Sequence, residues 1–168
     1  MMRRFASLAL LASLGGMSLA GCATMNPAMD LTPEAAPAFV AMAASSDMYE
    51  VESSRLALQR SQDPMVRMHA EMMIRDHTNT TTQLKAAAQS AGLGVPMQML
   101  PMHAALLDQL NRSSNFNATY RGQQLTSHQQ ALALHDNYAR NGDVPQLRGV
   151  AAAAVPVVRG HLEHLRRM

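Results

Sequence analysis

Apolar residues recur in this chain at steps of three and four, the spacing of one face of an α-helix. After Pro64, the positions Val66, Ala70, Met73, His77, Thr80, Leu84 and Ala88 line up on such a face. Leu147, Ala151, Ala154, Val158, His161 and Leu165 do the same near the end of the chain, and Leu125, His128, Leu132, His135 and Ala139 do so before it. An earlier stretch places Glu50 among Ala43, Ser46, Ser53 and Ala57, all small. No segment has the two-residue alternation or the β-branched density of a strand.

Local signals divide this pattern into helices. Thr32-Pro33-Glu34 reads as a helix start, with Thr as cap, and the first helix runs to about Arg60. Asp63 caps and Pro64 opens the second helix, which runs to Ala91 and stops at Gly92. A short helix covers Met102 to Asn111, and long ones cover Phe116 to Arg140 and Pro145 to about Arg167. Pro156 falls inside the last helix, where it removes one backbone hydrogen bond and frees a carbonyl near residue 152. The first and last pairs of long helices are joined by tight breaks and form antiparallel hairpins. Residues 92–115 are long enough to cross between them. The expected fold is all-α: a ferritin-like four-helix bundle of two hairpins, with one long crossover containing a short extra helix.

The buried stripes carry chemistry. Glu50, His77, His128 and His161 come from four different helices and are the candidate metal ligands, with Glu50 inside and Glu52 at the rim. Asp76 is placed to support a histidine N–H or to bind from the flank, and Tyr120 and Glu52 are further outer supports. Imidazole with one or two carboxylates suits iron, zinc, manganese or copper. The paired Glu-x-x-His elements of di-iron bundles are missing, since neither Glu71–Ile74 nor Glu163–Arg166 supplies one. That argues against a di-iron oxidase or a ferritin-type iron store. A second arrangement lies in "PMQMLPMH", where Met97, Met99 and Met102 stand beside His103, soft ligands suited to Cu(I).

The N-terminus sets the compartment. Two arginines precede the apolar stretch "ASLALLASLGGMSLA", which ends in Leu19-Ala20-Gly21-Cys22. This is the pattern of a lipoprotein signal peptide over residues 1–21, with the only cysteine, Cys22, as the lipidation site. Residues 22–33 then form a lipidated tether and residues 34–168 the bundle domain. Ala23 follows the cysteine, which favours an outer-membrane anchor facing the periplasm. The formal charge of +2 loses its meaning once the signal is removed: 14 basic residues less Arg3 and Arg4 leave 12 against 12 acidic ones. With three Phe, three Tyr and no Trp, neither charge nor stacking surface supports nucleic-acid binding. The one partner implied is the membrane, through the lipid.

Four ordered motifs carry a family resemblance over about residues 36–165: "EVESSRLALQR", "MIRDHTNTTTQLKAAAQSAG", "FNATYRGQQLTSHQQALAL" and "VPVVRGHLEHL". Together they resemble a bacterial envelope family of ferritin-like fold, the domain of unknown function 4142. In that family the Asp-His-Thr, a later histidine, and a proline followed by a histidine recur. Here they fall on Asp76-His77-Thr78, His128, and Pro156 with His161. Two positions depart from the family: Asn117 stands where an aspartate is usual, and His69 where an apolar aromatic is usual. Three readings follow: a metal-binding or redox-protective envelope protein, a structural lipoprotein whose polar core only fixes packing, and a copper binder through the Met loop. Nothing beyond the metal argues for catalysis.

Overall fold

The computed structural model describes residues 30–168. The expected signal peptide, Cys22 and the expected tether as far as residue 29 lie outside the described residues. Those described form five helices and no strand: α1 (Ala36–Arg60), α2 (Pro64–Ser90), α3 (Pro101–Arg112), α4 (Phe116–Asn141) and α5 (Pro145–Arg167). None of them is long and apolar enough to cross a membrane.

Most helix ends follow from local chemistry. The Asp63 side chain accepts from the Met65 and Val66 amides, at 2.8 and 3.3 Å, and Pro64 needs no partner for the N–H it lacks. At the other end of α2, Gly92 takes φ +71°, a conformation that costs most residues about 1–2 kcal/mol. It lets the Gly92 and Leu93 amides turn back onto the carbonyls of Gln89 and Ala88. Arg67 donates to the Leu58 and Ser61 carbonyls, closing the C-terminus of α1.

The start of α1 differs from the expected Thr32-Pro33-Glu34. The helix begins at Ala36 with Pro37 in its first turn, and no side chain caps it. Asp30 takes the Thr32 amide and hydroxyl into a local turn. The extended stretch that follows is pinned elsewhere: Asn137 donates to the Thr32 carbonyl and the Asp143 amide to the Glu34 carbonyl. The buried face of α4 also differs. Gln123, Gln124, Ser127, Ala131, Leu134 and Tyr138 share it with His128 and His135, while Leu125, Leu132 and Ala139 are only half-buried. This helix touches α5, α1 and α3, so its buried face is broad and its polar residues have partners.

α1 packs along α2 and α4 along α5, and the two pairs meet through α2–α5 and α1–α4 contacts. α3 lies against α1 and α4. Arg60 holds it there by donating to the carbonyls of Asn111 and Ser113. Two apolar clusters form at opposite ends of the helices. One contains Phe39, Val40, Leu84, Leu134, Tyr138 and Leu147, the other Ala57, Val66, Ala70, Leu110, Phe116 and Tyr120. Between them the sequence positions 47–54, 73–80, 123–128 and 158–161 bring a buried polar layer to the middle of the bundle. The proline inside α5 is exposed, as is Ala152, so the carbonyl it frees faces solvent. All of these contacts lie within residues 30–168, so a chain starting at Ala23 keeps them.

Phe39 stacks on Tyr138 with centroids 3.8 Å apart, and the Tyr138 hydroxyl donates to Asp143. A Cβ on Gly142 would meet the Tyr138 ring at 2.5 Å. Gly142→Ala should therefore lower stability by about 1–3 kcal/mol, the usual cost of overpacking. Urea unfolding measures this, and an unchanged midpoint would mean that the ring can move aside freely.

Candidate metal centre

Each of the four long helices contributes to the polar layer. α1 supplies Asp47 and Glu50, α2 His69, Asp76 and His77, α4 Gln124 and His128, and α5 His161. His77, His128 and His161 are all buried, and each offers a ring nitrogen within 4.8 Å of the others.

Hydrogen bonds fix which nitrogen each ring turns inward. His77 Nδ1 lies 2.8 Å from an Asp47 carboxylate oxygen and donates to it, leaving Nε2 as the lone-pair nitrogen. His128 Nδ1 donates to the Gln124 carbonyl at 2.8 Å, again leaving Nε2. His161 Nε2 donates to Asp76 at 3.0 Å, leaving Nδ1. Two of the freed atoms meet, His128 Nε2 lying 3.2 Å from His161 Nδ1, and His77 Nε2 is buried with no partner in a ring 5.6 and 5.5 Å from theirs. Lone pairs placed so closely call for something positive between them.

The same spacing fits a metal. Two imidazole nitrogens at about 2.0–2.1 Å from one tetrahedral ion stand about 3.3 Å apart. The outer partners supply what metal-binding imidazoles ordinarily have, an acceptor behind each ring that fixes its tautomer. Behind them lies a further layer of support. Asp47 also accepts from Thr80 and Thr81, and Arg75 grips Asp76 through two hydrogen bonds.

Electrostatics keep two of the three rings in the metal-binding form. Burial holds the His128 pKa well below its usual value, with the His77 and His161 charges adding. Burial also pushes His161 down to about 4, against the pull of Asp76. For His77, burial opposes the charge but the Asp47 hydrogen bond and charge outweigh it, so its pKa rises. Asp76 is drawn up by burial, yet hydrogen bonds from Arg75 and His161 leave it below the usual carboxylate range.

The other expected site residues fall elsewhere. Glu50 is buried as expected but sits behind His128: its oxygen is 3.7 Å from Nδ1, the outer nitrogen, which is already bonded to Gln124. It accepts from Gln124 Nε2 instead, and burial pushes its pKa up to about 7. Because His128 is held neutral, Glu50 and His128 do not form an ion pair. Tyr120 bonds Ser54 and packs beside His69 rather than the three rings. Glu52 pairs with Arg55 near the surface.

The Met loop residues separate. Met97 is 78% exposed, Met99 lines a groove beside α1, and Met102 packs on the apolar cluster around Phe39. His103 is buried, bonded through Nδ1 to Ser45 and stacked on Tyr49. It ties the crossover to α1, because Ser45 also receives the Leu100 amide.

The chain matches, over residues 20–168, the family described as a domain of unknown function (DUF4142). It belongs to this family. Its fold is similar to that of CopM, whose Cu(II)-bound form is 21% identical and superposes with a TM-score of 0.67 over 79% of this chain and 94% of that one. The Cu(I)-bound form of CopM gives 17% identity and a TM-score of 0.66, over 79% and 94%. A crystallised DUF305 fragment from Deinococcus radiodurans gives 20% identity and 0.67, over 80% and 94%. At these identities the likeness extends to the fold alone. No curated protein matches the chain.

Two turns beyond His128 on α4, His135 Nδ1 is also buried without a partner, and burial pushes its pKa down to about 4 despite the nearby Asp47 charge. An unfolded histidine titrates near 6.5. As pH falls below that, the unfolded chain takes up a proton that the folded one refuses until about pH 4. The contribution is thus fully present above pH 6.5 and lost towards pH 4, about 3 kcal/mol in all for the metal-free protein. His135→Leu should flatten this part of the stability curve, measured by urea unfolding at pH 7, 5.5 and 4. Parallel curves for the two proteins would refute the assignment.

Proposed function

We propose that this chain is a lipid-anchored envelope protein that binds a transition metal through His77, His128 and His161, within a ferritin-like bundle. One observation carries the reading: His77 Nε2 is buried without a partner in a ring 5.6 and 5.5 Å from those of His128 and His161, whose outer nitrogens already donate elsewhere. Three imidazole ligands suit copper or zinc better than manganese, which prefers oxygen donors. The copper-bound and silver-bound forms of the structurally similar CopM favour copper first. The envelope placement rests on the signal pattern ending at Cys22. An ion held here would be bound by His77 Nε2, His128 Nε2 and His161 Nδ1. Asp47, the Gln124 carbonyl and Asp76 would orient the rings.

A second reading has its own support. A proton shared between His128 and His161 would also satisfy their 3.2 Å contact, with Asp76 balancing the charge. The polar layer would then serve packing alone.

Elemental analysis separates the two. The chain from Ala23, purified from a bacterial periplasm without an affinity tag or chelator, should carry near-stoichiometric metal. His77→Ala should lose the ion held at the centre, and Asp47→Asn should weaken binding there by about 10–100-fold. A folded protein that is metal-free and takes up no added copper, zinc, iron or manganese would leave only the packing role.

A further inference from the structure

A second pair of histidines lies on the same two helices, nearer the C-terminus of α5. His69 of α2 and His164 of α5 face each other with Nδ1 atoms 3.2 Å apart, and their rings are within 4° of parallel. His69 is fully buried, whereas His164 is half-buried and reaches solvent.

The tautomer of His69 follows from its neighbours. Gln124 Nε2 donates to the Glu50 carboxylate and to Ser53 Oγ, whose own proton goes to the Glu50 carbonyl. This turns Gln124 Oε1 towards His69 Nε2, at 3.1 Å, and makes that nitrogen the donor. Burial, which pushes the pKa of His69 down to about 4, keeps the ring neutral. Its Nδ1 is therefore a lone pair, aimed at His164. In the metal-free protein His164 Nδ1–H donates to it. Moving that proton to His164 Nε2, which has no protein partner, frees a second lone pair with no net proton change.

We infer that His69 and His164 form a second metal site, a solvent-connected bis-imidazole pair distinct from the buried three-histidine centre. The 3.2 Å separation matches the roughly 3.3 Å expected for two imidazoles on one tetrahedral ion, whose remaining positions water would fill. The order is shallow site, then deep site: the His69 ring lies 6.2 Å from that of His128, and the rings of His128 and His161 lie 5.2 Å apart. Imidazoles thus line a route from the surface at His164 to the centre of the bundle. The pair suits a borderline ion such as zinc or copper held more weakly than at the centre, because two protein ligands replace three. The role as a shallow station rests on the proposed three-histidine centre; the existence of the pair as a site does not.

Zinc titration of the chain from Ala23 tests this, since Zn(II) is redox-silent and has little affinity for the many methionines. The readouts are bound zinc per chain and the 15N shifts of the histidine ring nitrogens. The wild type should bind two zinc ions, with His69 and His164 Nδ1 shifting at the weaker step. His164→Gln, at a half-exposed position, should bind one and leave the His77 signals shifting as before. His77→Ala should also bind one, at the pair. If the three-histidine centre fails and the pair holds, the wild type binds one zinc that His164→Gln loses and His77→Ala keeps. If His164→Gln matches the wild type in stoichiometry, and the His69 and His164 nitrogens do not move, the pair is only a hydrogen bond and the inference is overturned.

Discussion

Three imidazole nitrogens whose rings have placed their protons elsewhere face one another in the middle of this bundle. Their neighbours in the polar layer hold them so. Asp47, the Gln124 carbonyl and Asp76 take the outer N–H groups, and Thr80, Thr81 and Arg75 hold the two carboxylates. A lone imidazole in a core would turn whichever nitrogen found a partner. Here each is locked, because rotating any ring would strand an acceptor as well as a donor. The two apolar clusters at the ends of the helices provide the rigid frame, and they let the centre be polar without opening it to water.

Much of the fold was legible in local signals, because helix ends are local problems. Asp63 with Pro64, Gly92, and Pro145 each answer a question about one turn of backbone, and the structure places helix boundaries at them. The start of α1 was not legible. Thr32, Pro33 and Glu34 have the right chemistry for a cap, but Asp30 and the distant Asn137 and Asp143 take up that backbone instead. That is tertiary competition, which no window of sequence contains.

The site was legible where polarity broke an apolar stripe and obscure where it did not. His77 and His161 stood out against apolar neighbours, and His128 joined them. Asp47 was missed although it lies three residues before Glu50 and four after Ala43, squarely on the same helical face. It sits in a run of small polar residues, "SSD", that reads as surface, so Glu50 drew the attention that belonged to its neighbour. His69 and Gln124 were hidden for another reason. α2 touches both α1 and α5, and α4 touches three helices, so their buried faces are wider than a single stripe. Residues on the flank of a stripe then become core, and only packing reveals it.

The consequence of this design is an unusual division of cost. Burying neutral histidines and a neutral-leaning Glu50 among few aromatic residues sacrifices stability that an apolar layer of the same volume would supply. What the layer gains is that its free ring nitrogens are already set by their outer hydrogen bonds, so an ion would meet donors that need neither deprotonation nor a change of tautomer in two of the three rings. Binding free energy that would otherwise order ligands is kept. An ion bound only by the folded state also returns stability to it, about 2.7 kcal/mol at a hundredfold excess over the dissociation constant. Under the proposed metal-binding reading, filling the centre would return part of the stability that its polar core gives up. Coupling of that kind would give the carboxylates a reason to lie behind the rings: placed among them, they would satisfy the imidazoles without any ion.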